Sequence, residues 1–176
     1  MSEGSVVQFI EVEGDTGQLS VSPLSMLLLE KHQSKCVRVV CLHGHHHSGK
    51  SFLANAMLKD PRLPLAHSAL DSGTPGLFLW DKPVPLNQLE QRLGLEASED
   101  SGQVEVIVLE SQGLGCPGTD AETDLKLLTL SLLLSSTLVF NQKGSISDSS
   151  LDSLALLTRV KSSLQHGKSE DKSVFP

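Results

Sequence analysis

Eight residues carry the chemistry most sharply: Gly44-His45-His46-His47-Ser48-Gly49-Lys50-Ser51 fits G-x-x-x-x-G-K-[ST], the pattern of a phosphate-binding loop. Gly44 and Gly49 permit backbone torsions closed to other residues, so successive N–H groups can turn inward around phosphate oxygens at a helix N-terminus. Lys50 supplies a point charge for the β- and γ-phosphates, and the Ser51 hydroxyl is a ligand for Mg²⁺. Such a loop needs a strand before it and a helix after it. Val37-Arg38-Val39-Val40-Cys41-Leu42 reads as a buried strand, and Ser51 to Leu58 is rich in helix formers.

The elements that must hold this loop follow along the chain. Val6–Val12 and Gln18–Val21 flank a polar turn and read as a hairpin, after which Pro23 opens a helix with Ser22 as its expected N-cap. Residues 60–74 carry Pro and Gly without a period and read as a loop; Gly76–Trp80 returns to strand. A short helix is expected around Leu86–Leu93, a second buried strand at Val104–Leu109, helix from Asp120 to Leu134, strand from Ser136 to Phe140 and helix over Ser147–Leu164. Alternation of strand and helix argues an α/β fold with a mostly parallel sheet and helices on both faces.

Bulk composition narrows the classes. A chain of 176 residues is one domain on length, and with 39% hydrophobic but 3% aromatic residues its core must be built from Leu and Val. The net charge of -7 opposes sequence-independent binding to nucleic acid, which relies on Lys and Arg neutralising phosphates. Three cysteines, Cys36, Cys41 and Cys116, match no C-x-x-C spacing and read as reduced thiols. The N-terminus has no signal-peptide pattern, serine rather than a myristoylatable glycine follows Met1, and the apolar stretch from Leu125 to Phe140 is broken by polar residues. A soluble, cytoplasmic protein without a membrane span is expected.

Three other features have duller readings. His43, His45, His46 and His47 could share a zinc ion, but that would pull the loop backbone from its cradle, so exposed loop histidines are expected. Cys116 has no adjacent His or Lys and reads as a plain loop cysteine, and Ser135-Ser136-Thr137 lacks a G-x-S-x-G elbow. Glu96 to Asp100 reads as a solvated acidic loop.

Four blocks together resemble the guanylate-binding proteins, interferon-inducible large GTPases related to dynamin, with the atlastins as more distant kin. Gly44–Ser51 is similar to that family's G-x-x-R-x-G-K-S. Ser72-Gly73-Thr74-Pro75-Gly76-Leu77-Phe78-Leu79-Trp80 resembles its first switch, and Val108-Leu109-Glu110-Ser111-Gln112-Gly113-Leu114-Gly115 its second. Leu133 to Asn141, continued by Gly144-Ser145-Ile146, resembles L-L-S-S-T-F-V-Y-N followed by G-T-I, a block that no phosphate chemistry forces.

The resemblance implies a P-loop NTPase fold, GTP and GDP as ligands, Mg²⁺ as cofactor, GTP hydrolysis, a homo- or heterodimer formed across the nucleotide face, and a place in interferon-linked innate defence. It implies a nucleotide-contact set of Gly44, His45, His46, His47, Ser48, Gly49, Lys50, Ser51, Phe52, Thr74 and Gly113. Mg²⁺ would fall to Ser51, Thr74 and Glu110, and catalysis to Ser72, His47 and Gln112. Three of these depart from the family. His47 replaces the loop arginine, Glu110 replaces an aspartate and Gln112 replaces a glutamate, so binding with weakened turnover is expected; the alternative is a non-catalytic pseudo-GTPase or truncated module that modulates full-length relatives. Residues 1–165 are expected to form a partial G domain with 166–176 a polar tail, the C-terminal strands and the base-selecting Arg-Asp pair of the family being missing.

Overall fold

The computed structural model describes residues 5–13, 16–32, 36–58, 75–97, 101–116, 119–146 and 148–167. Strands β1 (Val6–Val12) and β2 (Leu19–Val21) form the expected hairpin, followed by α1 (Pro23–Glu30), β3 (Cys36–Gly44) and α2 (Lys50–Leu58). Then come β4 (Gly76–Trp80), β5 (Val84–Pro85), α3 (Leu86–Arg92), β6 (Val104–Ser111), α4 (Ala121–Leu134), β7 (Thr137–Asn141) and α5 (Asp148–Gly167). Contacts divide the chain into two compact units, Met1–Lys143 and Gly144–Pro176; α5 is the helix of the second.

Among the described residues the sheet runs β2-β1-β4-β6-β3-β7, with β5 also pairing β6. It is an α/β sheet of mixed direction. β3 is parallel to both β6 and β7, whereas the β2-β1, β1-β4, β4-β6 and β5-β6 pairs are antiparallel. The parallel part is therefore the β6-β3-β7 end, where helices cross over between strands, and the other half is antiparallel, with only its β1-β2 pair joined by a tight turn.

Alternation along the central strands splits the core in two. Leu42, Val106 and Val108 pack with Ala54, Met57 and Leu58 of α2 and Leu89 of α3 on one face, while Cys41, Ile107 and Leu109 pack with Leu127 of α4 on the other, where Leu29 of α1 joins them half-buried. Helices thus cover both faces, as the pattern predicts. Phe9 and Ile10 both join the second cluster because β1 shifts register between Gln8 and Ile10.

Helix starts differ in their chemistry. Asp120 caps α4, its carboxylate accepting from the Thr123 N–H at 2.7 Å. Ser22 occupies the N-cap position of α1 but makes no side-chain capping bond; the tie to the sheet comes instead from the buried Ser25 hydroxyl, which donates to the Gln8 carbonyl at 2.8 Å. Leu24, Met26 and Leu27 stay exposed. No helix among the described residues is long and apolar enough to cross a membrane.

Two predictions test this packing. A Cβ on Gly76 would lie 1.9 Å from the Ile10 carbonyl oxygen, so Gly76→Ala must push β4 from β1 at about 3 kcal/mol. Gly94 has φ +72° with nothing within 4 Å, so Gly94→Ala should cost about 1 kcal/mol. Equal shifts in urea midpoint would contradict the placement of β4. The second prediction concerns His43, 1% exposed, whose pKa burial, with help from the charges of Lys50 and His45, lowers to about 3. A depressed imidazole gives stability that is complete above the unfolded pKa and is lost as pH falls through 6.5 toward 3. Between pH 7.5 and 5 His43 alone should account for about 2 kcal/mol of lost stability. His43→Gln should show a flatter pH slope in denaturant titrations; an unchanged slope would sink the assignment.

Candidate functional site

The site lies where the parallel strands end. The β3–β6 register pairs Leu42 with Glu110, so the loop leaving β3 and the loop leaving β6 emerge side by side at the carboxyl edge of the sheet, the place where open α/β sheets bind ligands. Backbone bonds join them: Leu114 N–H donates to the Gly44 carbonyl and His46 N–H to the Leu114 carbonyl, both at 2.9 Å, and His45 bridges Leu114 in parallel fashion. Gln112 N–H reaches the Gly76 carbonyl at 3.2 Å, which ties β4 to the same edge. The loop is held before any ligand arrives.

Within it, Gly44 and Gly49 take φ of +144° and +94°, as the motif requires, and His47 adopts φ +56° although it is not glycine. The Lys50 side chain is 4% exposed and donates through Nζ to the His45 carbonyl at 2.9 Å. Burial lowers its pKa while the nearby Glu110 carboxylate opposes that shift. Ser51 Oγ donates to Glu110 Oε1 at 2.5 Å. Burial raises the Glu110 pKa, and the Ser51 bond and the Lys50 charge pull it back. Gly113 is packed so closely that a Cβ there would stand 2.6 Å from Lys50 Nζ and 3.0 Å from the His46 backbone. A side chain there would displace the lysine head, and the φ of +115° at Gly113 further disfavours one.

Gly44, His45, His46, Ser48, Gly49, Lys50, Ser51, Glu110 and Gly113 are thus brought together around one loop. Phe52 lies in the first turn of α2 and is 80% exposed. His47 is exposed, its ring centroid 3.8 Å from that of His46, and the His46 imidazole is pushed below its ordinary pKa chiefly by burial, with His47 and Lys50 adding to the shift. Gln112 is 4% exposed with Nε2 placed 3.1 Å from Cys116 Sγ, so its amide sits under the second loop. Ser72 and Thr74 lie outside the described residues.

The four histidines do not converge. His43 turns into the core, where its Nδ1 lies 3.1 Å from the Ser131 hydroxyl, which itself donates to the Leu127 carbonyl. Because Ser131 spends its proton on Leu127, His43 donates from Nδ1, and burial keeps the ring neutral near pH 7. Among the described residues no three His, Cys, Asp or Glu side chains are grouped to hold a metal ion. Mg²⁺ is a different case, since it keeps several waters and needs few protein oxygens. The adjoining Ser51 hydroxyl and Glu110 carboxylate offer that donor chemistry at the start of α2.

Sequence reasoning missed one contact. Asn141, at the end of β7, donates through Nδ2 to the Ser48 carbonyl at 3.1 Å, a contact across 93 residues that no local pattern announces. Cys116 is buried against Gln112, and burial raises its thiol pKa, which agrees with an unreactive loop cysteine; Cys36, Cys41 and Cys116 are all free. A cleft of about 440 Å³ lies elsewhere, between the β1–β2 turn and the start of α4. Glu13, Asp120 and Glu122 outnumber Lys126 in its lining, a poor setting for a polyanion.

The family profile described as "Guanylate-binding protein, N-terminal domain" matches residues 16–175. Guanylate-binding protein 3 of Homo sapiens is 30% identical over 171 residues and guanylate-binding protein 1 of Chlorocebus aethiops 29% over 171, each alignment covering 93% of this chain and 26% of the relative. Guanylate-binding protein 6 of Mus musculus is 29% identical over 162 residues, 91% of this chain and 24% of that protein. The chain therefore spans about a quarter of the length of these relatives. With a matched profile over most of its length and a phosphate loop set between β3 and α2, the chain belongs to the guanylate-binding protein family and corresponds to its N-terminal domain.

Proposed function

We propose that this chain binds GTP and GDP and hydrolyses GTP slowly, with Mg²⁺ as cofactor. The observation that carries the reading is the preformed loop, in which a buried Lys50 is aimed by the His45 carbonyl while Ser51 meets Glu110 at the first turn of α2. A buried ammonium is costly; Glu110 offsets part of that cost, and a triphosphate would offset more. Loop amides and Lys50 hold the phosphates. Ser51 and Glu110, with Thr74 from the sequence resemblance, hold the metal, whose chemistry is to neutralise charge on the β- and γ-phosphate oxygens. Ser72 is assigned the placing of water by the same resemblance.

Turnover is weak in this account because His47 replaces an arginine. An arginine finger is worth ~10³–10⁵ in rate, and an imidazole lacks its fixed fork of donors. Gln112 keeps hydrogen-bonding capacity without charge. We assign residues 1–165 to the G domain and 166–176 to a polar tail, with action in the cytoplasm, dimerisation across the nucleotide face and a role in interferon-linked defence inherited from the family resemblance.

A second reading is a non-catalytic module that modulates full-length relatives through the same face. The placement of Gln112 Nε2 at Cys116 Sγ favours it, since that contact spends the amide nitrogen on a sulfur. Single-turnover hydrolysis on pure protein separates the two. Lys50→Ala should weaken fluorescent GTP binding at least tenfold, about 1.4 kcal/mol, and His47→Arg should raise the hydrolysis rate at least tenfold. Tight binding with no hydrolysis in wild type or His47→Arg would establish the module instead. Absence of nucleotide binding in both proteins would refute the GTPase reading and leave only the module.

A further inference from the structure

We propose that Asn141 is a positioning residue of the phosphate loop, one that orients the Ser48–Gly49 peptide so that the Gly49 amide faces the ligand; the inference rests on the nucleotide-binding reading above. Asn141 belongs to the block from Leu133 to Asn141 that phosphate chemistry leaves unexplained in the sequence. The fold gives it a task.

β7 runs parallel to β3 with Gly44 opposite Asn141. The fit there is tight: a Cβ on Gly44 would stand 2.0 Å from the Asn141 carbonyl oxygen, so the loop's first residue is set directly against the Asn141 backbone. The side chain then crosses to the other limb of the loop, where Nδ2 donates to the Ser48 carbonyl at 3.1 Å and lies 3.8 Å from where a Gly49 Cβ would be. A carbonyl can only accept, so the amide nitrogen must be the end that faces Ser48.

A trans peptide points its carbonyl and the following N–H in opposite directions. Pinning the Ser48 oxygen toward Asn141 therefore turns the Gly49 N–H away from β7, and the φ of +94° at Gly49 carries the chain from that orientation into α2. Without the pin the peptide can rotate, and one phosphate donor loses its fixed direction. Leucine at this position keeps the volume and loses the donor. Aspartate sets a carboxylate against a carbonyl and adds negative charge beside the phosphates.

The test uses the full chain with fluorescent GTP and GDP in Mg²⁺, together with ¹⁵N relaxation of the nucleotide-free protein. Asn141→Leu should weaken both nucleotides about tenfold and Asn141→Asp by more, while the Gly49 amide order parameter falls from the rigid range of about 0.85 to below about 0.6 in Asn141→Leu and Val106 and Val108 in β6 keep their wild-type values. Wild-type affinity with a wild-type Gly49 order parameter in Asn141→Leu would overturn the proposal. So would a loss of affinity accompanied by equal loosening of β6, which marks a general effect on the fold. If the wild type binds neither nucleotide, the ligand reading fails on its own, and the order parameter of Gly49 still decides whether Asn141 orients that peptide.

Discussion

A lysine ammonium that is 4% exposed constrains everything around it. Buried charge costs several kcal/mol even after relaxation, so the fold must present acceptors at Nζ. The His45 carbonyl does so directly and Glu110 acts through its charge, and each depends on a different strand. β3 must end at Gly44 to turn the His45 carbonyl inward; β6 must run parallel beside it in a register that sets Glu110 next to Leu42. Gly113 must lack a side chain to leave room for Nζ. One buried cation thus links the sheet register, the loop torsions and the composition of the second switch.

The same constraint explains the substitutions relative to the family pattern. Glu110 is one methylene longer than aspartate and still meets Ser51. His47 is exposed at a positive φ with its ring against the neighbouring His46 imidazole, so it replaces an arginine without disturbing the cradle. Lys50, Glu110 and Gln112 sit in the packed interior, whereas His47 lies on the rim. In the proposed function that rim position is the one assigned to the loss of speed.

Much of this is legible in the residues. The strand before Gly44 and the helix from Lys50 follow from local pattern, because a β-branched apolar run and a run of helix formers report burial and propensity over a few neighbours. The elements that begin at Val104, Ala121 and Thr137 declare themselves in the same way. Pairing direction is harder: nothing within Gly76–Trp80 says that β4 runs antiparallel to both β1 and β6, a property set by distant partners. The inward turn of His43 onto Ser131 and the reach of Asn141 to Ser48 join residues 88 and 93 positions apart, beyond any period in the chain. Ser22 makes no side-chain cap even though its residue type suits the role, since capping depends on a rotamer that tertiary packing decides.

The central claim is that residues 44–51 wrap phosphates with their amides. Amide chemical shifts followed during titration of the full chain with GTP and Mg²⁺ test it most directly. The account predicts large, saturable shifts at Gly49, Lys50 and Ser51 that are complete at one nucleotide per chain and absent with guanosine. Shifts confined to other regions, or equal shifts with guanosine, would contradict it.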